Sequence, residues 1–275
     1  MRPPDAVRFD EVHLSTDVTL HYAERGARTG EAIIFLHAYV DSWFTFSQLL
    51  PLLSPEYHLL APDQRGHGDS DKPQCCYAVD DYVADVGAFM EAVGIEEATL
   101  VCSSSAGLIA QRVALDDPHR VSRLVLIGSP TTLVNNEAVR EAGKEMLAGL
   151  EDPISPEFVR EFQESTTHHP LPEKFLSTLV SESLKVPARV WRDYLEGVVL
   201  TVDDTSRLDE IEAPTLILWG EQDAFLEREE QQRRAAAISN AMLKVYPDTG
   251  HVVHWERPEW VVRDLEAFIK DTRPA

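Results

Sequence analysis

An open, mainly parallel α/β sheet, covered by helices on both faces and interrupted once by helices, is the fold class this chain predicts. Three observations point to it. Short apolar runs alternate with amphipathic helical stretches from Ala32 to Ile127. The alternation stops between about Thr131 and Leu208 and resumes at Thr215. Three serines, Ser103, Ser104 and Ser105, stand where a strand gives way to a helix.

The elements follow in order. Val12 and Leu14 alternate with polar neighbours, then Val18, Leu20 and Tyr22 do the same, which predicts two strands. A turn over residues 26–30 follows them. Ala32-Ile33-Ile34-Phe35-Leu36 is a continuous apolar run, as in a strand buried on both faces of a parallel sheet. Residues 42–53 read as a helix and residues 57–61 as another buried strand. Residues 80–93 place Val83, Val86, Met90 and Val93 on one helical face. Residues 98–101 then read as a strand, 105–117 as a helix and 121–127 as a strand.

Three helices are predicted in the interruption. Ser155-Pro156 starts one, with Pro at the first helical position and an apolar stripe of Phe158, Val159 and Phe162. Pro172 starts the next, striped by Phe175, Leu176, Leu179 and Val180. Pro187 starts a third, carrying Val190, Trp191, Tyr194 and Leu195. Strands over residues 215–219 and 242–246 and a helix over 259–269 complete the chain. The expected organisation is a core of residues 1–130 and 209–275, with 131–208 as a helical cap.

The length of 275 residues suits one large α/β domain, and 44% hydrophobic content supplies its core. The net charge of −22 would repel nucleic acid and anionic membrane, so a small-molecule substrate is the expected partner. Oligomeric state is not legible. Cys75, Cys76 and Cys102 show no zinc-like or disulfide-framework spacing, which predicts reduced thiols and a cytoplasmic address. Met1-Arg2-Pro3-Pro4-Asp5 lacks the apolar stretch of a signal peptide. No apolar run approaches the roughly 18 residues of a membrane span.

A sharp strand-to-helix turn that exposes a serine needs small residues two before and two after it. Cys102-x-Ser104-x-Ala106 supplies them, and Ser103-x-Ser105-x-Gly107 is the rival register. Ser104 is preferred because the strand runs to Val101 or Cys102. Serines are also good helix N-caps, so the run alone would read as a polar helix start.

Other blocks change that balance. They are Leu36-His37-Ala38-Tyr39, Asp63-Gln64-Arg65-Gly66-His67-Gly68-Asp69-Ser70, the serine turn, and Trp219-Gly220-Glu221-Gln222-Asp223 with Gly250-His251-Val252-Val253-His254-Trp255. In their order and spacing the chain resembles the α/β-hydrolase family over nearly its whole length. The resemblance implies Ser104 as nucleophile, Asp223 as orienting acid and His251 as base, in that chain order and at strand ends. A serine hydroxyl needs such a base, and the base needs such a carboxylate. The earlier strand end carries Ser129-Pro130 and no rival acid.

The resemblance also implies an oxyanion hole from the backbone N–H groups of Ser105 and Tyr39. Ala38 stands where the family has Gly, which tolerates positive φ better. The 63–70 block, Arg65 included, is expected to stabilise its loop. Val40, Trp43, Phe158, Phe162, Trp191 and Tyr194 are candidates to line an apolar pocket, although aromatics at helical spacing more often pack a cap onto a body. His254 is a further pocket candidate, with a structural role favoured. His168-His169 reads as two exposed loop histidines, and no metal ligand is assigned.

The implied activity is hydrolysis of a carboxylic ester or lactone of small to medium, hydrophobic character through an acyl-enzyme. That chemistry requires no metal or organic cofactor. Thioesterases, carbon–carbon bond hydrolases and cofactor-free haloperoxidases or perhydrolases use the same three residues, and some ligand-binding receptors retain them, so these readings stay open. Epoxide hydrolases and haloalkane dehalogenases of the family carry Asp at the turn and are disfavoured.

Overall fold

The computed structural model describes residues 6–272. The opening Met1-Arg2-Pro3-Pro4-Asp5 lies outside the described residues. Eight strands form one sheet: β1 (Arg8–His13), β2 (Thr19–Gly26), β3 (Ala32–Leu36), β4 (His58–Pro62), β5 (Ala98–Ser103), β6 (Val121–Ile127), β7 (Thr215–Gly220) and β8 (Ala241–Tyr246). Their order across the sheet is β1-β2-β4-β3-β5-β6-β7-β8. β2 runs antiparallel to β1 and β4, and every other pair is parallel. The helices are α1 (Val79–Ala92), α2 (Ala106–Asp116), α3 (Glu137–Leu147), α4 (Pro156–Ser165), α5 (Glu173–Ser183), α6 (Ala188–Tyr194), α7 (Arg228–Ala237), α8 (Val253–Glu256) and α9 (Pro258–Asp271).

Every residue of β3, β5 and β7 is buried, as their unbroken apolar runs require. The two-residue period still sorts their side chains. Ile34, Leu36, Leu100 and Cys102 face a core shared with Val86 and Phe89 of α1 and Leu108 of α2. Ile33, Phe35 and Val101 face the opposite core, with Leu265 and Phe268 of α9. Among the described residues no helix is long and apolar enough to cross a membrane.

The structure departs from the sequence expectation in three places. Residues 42–53 form a short 3₁₀ turn, Trp43–Phe46, followed by further turns. Ser42 Oγ accepts from Phe44 N–H at 3.2 Å, and Trp43 N–H is spent on Asp63 Oδ1 at 2.7 Å. Pro51 lacks a donor for any helix that would continue. Between β6 and β7 the chain forms four helices, α3 to α6, of which α3 was not expected. Cys75 and Cys76 are joined as a vicinal disulfide where reduced thiols were expected, and Cys102 is free and buried.

The 63–70 block ties three segments together. Asp63 is fully buried at the end of β4. Its Oδ1 accepts from Trp43 N–H, and its Oδ2 accepts from Asp69 N–H at 3.0 Å and lies 2.8 Å from His21 Nδ1. Gly68 has φ +48°, and a Cβ there would stand 2.2 Å from the Asp63 carboxyl carbon. Arg65 makes two 2.6 Å bonds to Asp85 and a 2.7 Å bond to Cys76 O. These contacts hold the loops on either side of β3's carboxyl end. Asp63→Ala leaves two backbone donors and one partly buried imidazole without their shared acceptor. Urea denaturation should report a loss of about 3 kcal/mol or more.

Candidate active site

The serine turn begins where β5 ends. Ser104 adopts φ +46°, a conformation that costs a non-glycine residue about 1–3 kcal/mol. It is held by Ser104 N–H to Ile127 O at 2.8 Å on neighbouring β6, and by Gly107 N–H to Ser104 O at 2.9 Å. Cys102 and Ala106 on either side are fully buried, so larger residues would not fit. The three serines separate cleanly. Ser103 Oγ is buried without a partner among the described residues. Ser105 Oγ accepts from Tyr39 N–H at 3.0 Å and lies 3.2 Å from Tyr194 Oη. Ser104 Oγ lies 2.8 Å from His251 Nε2.

His251 stands in the loop after β8, with Nδ1 2.8 Å from Asp223 Oδ2. Asp223, after β7, has a completely enclosed side chain, and its Oδ1 accepts from Phe225 N–H at 2.8 Å and Leu226 N–H at 3.1 Å. An ionised carboxylate can only accept. The imidazole proton therefore sits on Nδ1, which leaves Nε2 to accept from the Ser104 hydroxyl. Gly128 backs this arrangement at φ +53°, where a Cβ would come within 2.3 Å of His251 O. A side chain at that position would push the histidine away from Ser104.

The loop after β3 supplies Tyr39. His37 Nδ1–H donates to Ala38 O at 2.9 Å, and its Nε2 accepts from Gln64 N–H at 2.9 Å. Both bonds suit a neutral ring, and burial lowers its pKa. The positive φ of this loop falls at Val40, +57°, so Ala38 escapes the strain expected of it. Tyr39 N–H is engaged by Ser105 Oγ. Ser105 N–H belongs to the first turn of α2, where backbone donors have no intrahelical acceptor.

A cavity of about 380 Å³ opens beside Ser104 and His251. Leu133, Val139, Met146, Phe162, Leu226 and Val252 give it an apolar wall. Of the pocket candidates read from sequence, Phe162 lines it. The others do not. Trp191 is fully enclosed against Tyr39, Phe158 and Phe162, and Tyr194 against Tyr39, His67 and Tyr82, where they pack α6 onto the body. Val40 is core. Trp43 packs against Phe9 and Phe44, away from the cavity. His254 is buried beside Thr45 Oγ1 at 3.1 Å, and burial together with the charge of His251 pushes its pKa down to about 3.

Sequence reasoning missed the wall built by α3. Its signal was present: Asn136 Oδ1 caps Val139 N–H at 3.0 Å, Glu137 sits in the first turn, and Ala138, Ala142 and Met146 repeat at helical spacing. Asp41 was also missed. It lines the cavity and is fully buried, and Gln163 Nε2 of α4 donates to it at 2.9 Å. Burial pushes the Asp41 pKa up to about 7, against the hydrogen bonds of Gln163 and Thr45 and the charge of His251.

The α/β hydrolase fold family model matches residues 31–258. The chain belongs to this family. An uncharacterised protein of Mycobacterium tuberculosis is 28% identical, covering 99% of this chain and 83% of that one. Mouse epoxide hydrolase 4 is 24% identical over 91% of this chain and 76% of its own. Among solved structures, an esterase from Exiguobacterium antarcticum superposes with a TM-score of 0.87 over 96% of this chain and 100% of that one. At 19% identity that likeness shows the fold alone.

Asp41 yields a pH prediction. A carboxyl that holds its proton more tightly when folded contributes full stability below its ordinary value of 3.8, and loses it as pH rises toward about 7. His37 and His254, whose pKa values burial lowers, contribute the opposite slope to the whole protein. The Asp41 contribution is therefore read as a difference: in denaturant melts, the stability of the wild type relative to Asp41→Asn should fall as pH rises across that window.

Proposed function

We propose that this protein is a serine hydrolase that cleaves carboxylic esters or lactones of hydrophobic substrates. The observation that carries the reading is the chain Ser104 Oγ, His251 Nε2, His251 Nδ1, Asp223 Oδ2, with 2.8 Å at both contacts and an apolar cavity at its open end. Ser104 attacks the carbonyl carbon as His251 takes its proton. Asp223 stabilises the imidazolium that results. His251 returns the proton to the leaving alcohol, and a water deprotonated by the same nitrogen releases the acid.

The negative oxygen of the tetrahedral intermediate takes the N–H groups of Ser105 and Tyr39. Without substrate, Ser105 Oγ holds the Tyr39 donor. When released it keeps Tyr194 Oη as a partner, so the donor can change acceptors without leaving the serine hydroxyl unpaired. Residues 131–208 serve as the cap that shapes the acyl site through α3 and α4. The chemistry requires no metal or organic cofactor, and the partner is the small-molecule substrate.

An epoxide substrate fits this site poorly for a chemical reason. A serine that opened an epoxide would leave an ether, with no carbonyl for water to attack. A carboxylate at the turn would leave an ester, which water can cleave. Ser104 favours acyl chemistry over the ring opening that names the mouse relative.

A fluorophosphonate probe should label wild type at Ser104 and leave Ser104→Ala unlabelled. Hydrolysis of p-nitrophenyl butyrate should fall about 10⁴-fold or more in Ser104→Ala. Labelling without any ester turnover would favour a ligand-binding role, and unchanged turnover in the variant would exclude the mechanism.

The α3 wall tests the acyl site. Ala142→Phe puts a ring into the cavity. It should lower kcat/KM for p-nitrophenyl octanoate at least tenfold and spare the acetate. Equal losses on both esters would place the acyl chain elsewhere.

A further inference from the structure

A second cluster of chemistry-bearing side chains lies outside the cavity, where the loop after α4 crosses the loop after β8. Thr166 O accepts from the backbone of His251 at 3.1 Å and of Val252 at 3.4 Å. Just beyond, His168 Nε2 lies 3.3 Å from Asp248 Oδ1 and His169 Nε2 lies 3.0 Å from Asp248 Oδ2. The ligand-capable atoms of the three residues all fall within 4.8 Å of one another.

We propose that His168, His169 and Asp248 form a binding site for a divalent transition metal of zinc type. Two imidazoles and one carboxylate are a donor set suited to zinc, nickel or copper and unsuited to magnesium. The spacing agrees. Tetrahedral ligands at about 2.0–2.1 Å from zinc stand about 3.3–3.4 Å apart. The 3.0 and 3.3 Å separations need small adjustments to admit an ion.

The frame is fixed before any ion arrives. Glu256 accepts from His168 N–H at 3.0 Å, His169 N–H at 3.1 Å and Gly250 N–H at 2.9 Å, which pins both loops to one carboxylate. Asp248 holds φ +52°, and its carbonyl accepts from Arg257 at 2.8 Å. Arg257 Nη2 also lies 3.4 Å from Asp248 Oδ2 and competes for that oxygen. It keeps the carbonyl if the carboxylate turns to an ion. The histidines are about two-fifths exposed, 38% and 41%, so an ion can enter and keep water in its remaining position. The net charge of −22 favours cations generally.

Among the described residues a further cluster of this kind, His21 with Asp63 and Asp69, differs in two respects. Asp63 there is spent on backbone donors, and Lys185 occupies Asp69 at 2.9 Å.

An ion at the proposed site would join the loop after α4 to the loop that carries His251. Isothermal titration of the full chain, stripped with EDTA and dialysed, would use zinc chloride at neutral pH, with magnesium chloride as control. One zinc per chain and no magnesium heat are expected. His168→Ala with His169→Ala should weaken zinc at least tenfold. Asp248→Asn, which keeps the shape of the side chain, should also weaken it and gives a second route if the double variant folds poorly. Zinc should raise the Tm of the wild type and not of these variants. No zinc binding below millimolar concentration, or equal affinity in Asp248→Asn and wild type, would overturn the site and leave the three residues as an ion-paired staple.

Discussion

The structure turns on one backbone constraint: Ser104 stands at φ +46° with its N–H committed to Ile127 O of the next strand. That bond exists because β5 and β6 run parallel in register, with Ser103 opposite Ile127. The same parallel order places β7 beside β6 and β8 beside β7, so Asp223 and His251 leave the sheet on the same edge as Ser104. Reversing one of these strands would carry its loop to the far edge, about 20 Å away for a six-residue strand. A positive φ at a residue other than glycine is strained. It persists because β6, Gly107 and the buried pair Cys102 and Ala106 leave the chain no alternative path.

What was legible follows from what the sheet demands. β3, β5, β6 and β7 are apolar along most of their length because helices cover both faces, and such runs stand out in a sequence. The loop residues Asp223 and His251 were legible from their place after strands. The three serines alone were ambiguous, since helix capping and exposure at a turn favour the same residue types. Tertiary hydrogen bonds decided among them, and these pair residues far apart in the chain.

The misreadings share a cause. Residues 42–53 have helical apolar spacing, but only the 3₁₀ turn Trp43–Phe46 forms, with Phe46 enclosed against the distant rings of Phe35 and His254. Trp191 and Tyr194 have the size and chemistry of pocket walls, yet they fill the seam between α6 and the body. Which side of a helix meets a cavity depends on how that helix docks, and periodicity does not encode docking. Asp41 is the sharpest case. In sequence it is one acid among 47 Asp and Glu residues. Its unusual protonation arises from enclosure by residues on α4 and the loops near Thr45 and His251.

Asp41 also shows how the helices between β6 and β7 communicate with the serine site. Gln163 of α4 donates to Asp41 at 2.9 Å and to Ser183 of α5 at 2.8 Å. Three residues on, Thr166 accepts from the His251 backbone. One helix end therefore touches both the carboxyl in the cavity wall and the loop of His251. A shift of α4 would break a buried hydrogen bond to Asp41 and unseat the backbone contact of His251 together. The apolar contacts of Phe162, one residue before the first of these attachment points, resist such a shift. The position of α4 is in this way a condition on the Ser104–His251 contact, although α4 contributes no atom to it.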